Sequence, residues 1–294
     1  MLAAALSLVP GCSLKTMAVK TVANTLAESG DVFSSDDDPD LVRQAVPFAL
    51  KTYESLLQSV PRHEALLVAT CSGFTQYAYA FVQADADLVE GENYQEARRL
   101  RARAVKLYLR GRDYCLRALE VRFPGIGPRL LREPASALAR AQKKDVPLLY
   151  WAGASWGSAI SLGLADPELV ADFPAVRALM ERALALDETW SKGALHEAMI
   201  ALDSLPEELG GSQEHARQHF DRAIALQGGL SAGPYVALAL GVSVANQDRE
   251  EFEGLLRKAL AVDPEKDRSN RLVNIVVQRR AAALVEHADR LFSK

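Results

Sequence analysis

The stretch "RALALDETW" (182–190) ends an amphipathic run on a small residue, Ala183, and then breaks at an acidic turn. Two later stretches, "RAIALQGGL" (222–230) and "KALAVDPEK" (258–266), align with it on Ala223 and Ala259, and "RALEVRFPG" (117–125) joins on Ala118. A poorer copy ends in "LLQSVP" (56–61). Three residues before each anchor stands a larger side chain: Tyr53, Cys115, Met180, Phe220 and Leu256. Seven before stand Ala49, Gly111, Val176, Ala216 and Phe252. A small residue that admits a neighbouring helix, beside a large one that fills the groove, marks the second helix of a tetratricopeptide-like hairpin. The wider spacing between the earlier copies implies insertions or an extra helix pair.

Working outward, apolar residues recur at three- and four-residue intervals, and no series of alternating strands appears. The expected fold is all-α, a tetratricopeptide-like helical-repeat solenoid. Breaks fall at Pro61, Phe123 to Pro128, Asp166-Pro167, Leu205 to Gly211, Gly228 to Pro234 and Asp263-Pro264. Asp38-Pro39 is a helix start, because Asp caps free amides and Pro lacks the hydrogen that would be left unpaired. Residues 39–294 are therefore expected to form one helical-repeat domain, preceded by a segment and acidic loop at 13–38.

The first residues, "MLAAALSLVPGC", form a short apolar run ending at Cys12, the pattern of a lipoprotein signal with Cys12 as acyl acceptor. Ser13 follows it, which favours outer-membrane sorting where a cell has one. Cys71 and Cys115 lie in apolar helical patterns and are expected as buried thiols, although an oxidising compartment would permit a bond between them. With 49% hydrophobic and 24% charged residues and a net charge of -4, the chain is globular and has no bulk attraction to nucleic acid.

"YWAGASWGSAIS" (150–161) contains Gly153, Ser155 and Gly157 in the Gly-x-Ser-x-Gly spacing of a nucleophile elbow. Such an elbow needs a strand before it and a parallel sheet beneath it. Without a sheet, the small residues read as a close helix contact. "HEAMI" (196–200) has Ile200 where a zinc protease needs its second histidine, and His215 and His219 share a helix face without an apparent third ligand. No metal, cofactor or catalytic residue is expected. The basic helix from Arg98 to Arg117 and the aromatics Tyr150, Trp151 and Trp156 are more distinctive. Charges in such number ordinarily make a solvated or salt-bridged face, but Arg101, Arg103 and Arg110 with those aromatics are the candidates for a ligand or partner cleft.

Several blocks together resemble one family: "DDDPDLVRQAVPFALKTYESLL", "GFTQYAYAFV", "RARAVKLYLRGRDYCLRAL", "VPLLYWAGASWGSAISL", "LPEELGGSQEHARQHFDRAIAL" and "NIVVQRRAAALV". They are similar to the T component of tripartite ATP-independent periplasmic (TRAP) transporters. The resemblance implies a periplasm-facing lipoprotein anchored through Cys12, a homotrimer with a central pore, and association with a substrate-binding P subunit. It also implies a hydrophobic or organic-acid ligand and no catalysis. An envelope scaffold unrelated to transport, and a serine hydrolase using Ser155, are the alternative readings.

Overall fold

The protein is described here from a computed structural model, which covers residues 14–28 and 30–292; Cys12 lies outside the described residues. The helices are α1 (Leu14–Glu28), α2 (Gly30–Ser34), α3 (Pro39–Ser59), α4 (Glu64–Tyr77), α5 (Ala84–Val89), α6 (Tyr94–Arg122), α7 (Ile126–Arg132) and α8 (Pro134–Ala137). They continue as α9 (Val146–Leu162), α10 (Pro167–Val170), α11 (Phe173–Leu186), α12 (Ala194–Asp203), α13 (Gln213–Gln227), α14 (Gly233–Leu238), α15 (Arg249–Leu260) and α16 (Arg271–Glu286). A π-helical stretch, Ala78–Gln83, joins α4 to α5, and another, Ala239–Ser243, extends α14. No strand occurs among the described residues, so the fold is all-α.

The helix starts follow local chemistry. Asp38 accepts from the amides of Asp40 and Leu41 with Pro39 behind it, and Asp166 caps α10 in the same way. Inside the stretch read as an acidic loop, Gly30–Ser34 forms the short α2.

The repeat anchors are core residues. Ala118, Ala183, Ala223 and Ala259 are fully buried, and Cys115, Met180 and Leu256 are buried beside them. α6 packs between α4 and α9, α9 against α11, α12 against α13, and α15 between α14 and α16. The interval between Ala118 and Ala183 is long because α7, α8 and α10 are inserted there. The continuous helix Glu64–Val89 is long and apolar enough to cross a membrane, yet half of its most apolar window is buried in the protein. It packs against α3, α6 and α9.

One large apolar cluster runs from α1 to α12, and a second covers the end of α12 through α16. A smaller cluster of Val42, Phe81, Leu272 and Val276 brings α16 back to α3 and the first π-helical stretch. Ion pairs from Arg271 to Asp37 (3.0 Å) and from Arg280 to Asp87 (2.8 Å) reinforce this return.

The expectation of free thiols is corrected: Cys71 on α4 and Cys115 on α6 form a disulfide, with Cα atoms 5.5 Å apart. Gly111 permits this approach. A Cβ there would lie 3.0 Å from Thr75 Oγ1 and 3.1 Å from the Cys71 carbonyl oxygen, so a side chain would push the two helices apart.

Candidate ligand cavity

Because α16 returns to the N-terminal helices, a cavity of about 630 Å³ remains between α1, α2, α3, α4, the start of α9 and α16. This size lies within the range of small-molecule sites. One wall is a stripe of Ala65, Val68, Ala69, Ser72 and Gln76 on α4, continued by Ala80 of the first π-helical stretch. Small residues on that stripe leave space that larger ones would fill. Val46 and Leu50 of α3, Val273 and Val276 of α16, and Trp151 of α9 make most of the opposing surface apolar. The Tyr53 hydroxyl donates to the Leu26 carbonyl at 3.0 Å and ties α1 to α3 at the cavity edge.

The charged lining residues are Glu64, Lys144 and Asp145. Asp145 is occupied: it accepts from Arg122 Nε at 2.6 Å and from the Gln142 amide at 2.8 Å. Glu64 stands in the first turn of α4 and Lys144 in the turn before α9, so these charges lie at the two helix starts.

Of the six sequence candidates for a cleft, Trp151 lines the cavity. Tyr150 points behind it, its ring 4.7 Å from Trp190 and 4.9 Å from Trp151, and burial pushes its hydroxyl well above the ordinary tyrosine range. Trp156 is buried beneath Arg112, whose guanidinium lies 5.3 Å from the ring. Arg110 donates to the buried Glu54 at 2.6 Å, tying α6 to α3. Arg101 grips Glu90 through two hydrogen bonds of 2.5 and 2.6 Å, and Arg103 is exposed.

Ser155 sits within α9, fully buried, with its hydroxyl donating to the Ala152 carbonyl at 3.1 Å. A Cβ at Gly153 would meet Met180 at 3.0 Å, and one at Gly157 would meet Val176 at 3.2 Å. The two glycines therefore receive α11. His219 faces His196 rather than His215, their Nδ1 atoms 2.8 Å apart. Among the described residues no group of three or more His, Cys, Asp or Glu is placed to hold a metal.

Sequence reasoning missed the cavity, the histidine pair and Glu197, a surrounded carboxyl that burial pushes up to about 7. The run of small residues in "EALLVATCSGFTQYAYA" (64–80) was the available signal for the cavity.

The sequence model of the TRAP transporter T-component family matches residues 35–292. The chain belongs to this family. An uncharacterized protein of Treponema pallidum (strain Nichols) is 31% identical to it over 304 residues, which cover 96% of this chain and 93% of that protein. T-component membership makes the protein an accessory subunit of a TRAP transport system and associates it with the bacterial envelope. The cavity is thus a feature of a transport component.

Proposed function

We propose that this T component is a periplasm-facing lipoprotein that holds a hydrophobic or organic-acid ligand in the α1–α4/α16 cavity and exchanges it with the substrate-binding P subunit. The observation that carries the reading is the cavity itself: about 630 Å³ of predominantly apolar space open to one bound molecule. The Cys71–Cys115 disulfide suits an oxidising compartment. In this reading acylated Cys12 confines the protein to the membrane surface, probing P subunits within reach, and the helix pairs form a tetratricopeptide-like solenoid. The assembly is a homotrimer, and no catalytic role is assigned to Ser155.

The test is mass spectrometry of small molecules released from the purified protein, with a pull-down of the P subunit from cell envelopes. Ala69→Trp, which fills the cavity, is expected to abolish ligand recovery. Recovery of neither a small molecule nor a P subunit would sink the reading.

A further inference from the structure

Two opposite charges stand without ion-pair partners at one end of the cavity. α4 runs antiparallel to α6, because Cys71 bonds Cys115 while Glu64 acts on Arg122, two turns further along α6. α9 does the same, with Trp156 under Arg112 and Asp145 accepting from Arg122 at 2.6 Å. The starts of α4 and α9 are therefore side by side against the end of α6. Of the charges gathered there, Arg122 and Asp145 hold each other. In the turn before α9, Lys143 is held by Asp187 at 3.1 Å. Glu64 and Lys144 both line the cavity, and neither side chain makes an ion pair or hydrogen bond with another described residue.

From this end the lining continues as the apolar surface of Val68, Leu148 and Trp151. An acid whose chain lies along that surface gains Lys144 but sets its charge beside Glu64. A cation of the same chain length gains Glu64 but faces Lys144. A head group carrying both signs meets each lining charge with its opposite. Lys144 is exposed and Glu64 half-buried, so such a head group stays partly hydrated while its chain leaves water. Resting on the ligand-cavity reading above, we infer that the cavity takes an amphiphile with a zwitterionic head group, its anionic part at Lys144 and its cationic part at Glu64.

The experiment is calorimetric titration of the full chain, stripped of co-purified small molecules, with four ligands of one chain length. These are N-decyl-N,N-dimethylglycine, decanoate, decyltrimethylammonium and decan-1-ol, each below its micellar concentration at about pH 8, where carboxylic acids are ionised. The zwitterion is expected to bind about threefold more tightly than either singly charged ligand, the worth of one further solvent-exposed ion pair. Lys144→Gln should bring the zwitterion down to the affinity of decyltrimethylammonium, and Glu64→Gln should bring it down to that of decanoate. Decanol binding should be unchanged in both variants, which shows the cavity intact. A singly charged ligand that matches the zwitterion in the wild type, or a zwitterion preference that survives either substitution, overturns the assignment and leaves the cavity reading standing. If the wild-type protein binds none of the four, both fall.

Discussion

The Nδ1 atoms of His196 and His219 stand 2.8 Å apart, joining α12 to α13 through a single hydrogen bond. On the outer sides His196 Nε2 meets Glu188 at 3.2 Å, and His219 Nε2 lies 3.5 Å from Asp203. Two neutral rings carry two N–H groups, so one serves Glu188 and one the shared contact. That leaves the longer approach to Asp203 without a proton, but Asp203 already accepts from Arg177 at 2.9 Å. The neutral pair thus supplies a proton to Glu188 and to the shared contact, whereas two imidazolium rings would oppose their N–H groups across that contact.

Burial holds both imidazoles below the ordinary value of 6.5, with Glu188 opposing the shift at His196 and Asp203 opposing it at His219. Arg222, Arg177 and His215 add positive or competing charge around the pair. As pH falls through 6.5 the unfolded chain takes up protons that the folded pair resists, so stability present above that value is lost below it. Thermal midpoints measured from about pH 7.5 to about pH 5.5 should fall less in the double variant His196→Gln/His219→Gln than in the wild type. An equal decline in both proteins would place the pH dependence elsewhere.

Glu197 works in the opposite direction. Burial raises its carboxyl from 4.5 to about 7, partly offset by a hydrogen bond from Gln227 at 3.3 Å. The folded protein thus favours the protonated form, and stability is lost as pH rises from 4.5 through about 7. Glu197→Gln imitates that form. It should stabilise the protein by about 1 kcal/mol at about pH 8, less than a full desolvation shift because Glu197 keeps some solvent contact, and the gain should vanish in acid. Denaturant titrations at both pH values check the sign.

The Cys71–Cys115 bond closes a loop across a sequence separation of 44 residues. Chain-entropy reasoning assigns such a loop about 4 kcal/mol. Cys71→Ser/Cys115→Ser, or reduction of the wild type, should lower the thermal midpoint markedly. Alkylation under non-reducing conditions should find neither thiol free. Quantitative labelling of both cysteines in native protein would contradict the pairing.

At the α9–α11 contact, Gly153→Val should cost about 1–3 kcal/mol, because Met180 and its neighbours already fill the space. Ser155→Ala should cost about 1 kcal/mol, the loss of its hydrogen bond to Ala152. A fluorophosphonate probe should leave Ser155 unlabelled. Labelling would reopen the hydrolase reading.

The amino-acid sequence determined the helical class, the helix starts at Asp-Pro pairs and the burial of Ala118, Ala183, Ala223 and Ala259. These are short-range properties: periodicity, caps and the size of residues a turn apart. It also carried the family resemblance and the role of Gly153 and Gly157 as a helix contact. Tertiary structure decided what depends on distant segments meeting. The return of α16 to α3 encloses the cavity, the approach of α4 to α6 at Gly111 joins two cysteines, and the packing of α12 on α13 pairs His196 with His219. It likewise settled where the basic helix directs its charges, since Glu54 and Glu90, which hold Arg110 and Arg101, lie on other segments of the chain. Spacing within one helix records which face a residue occupies, and only the packed fold records what faces it.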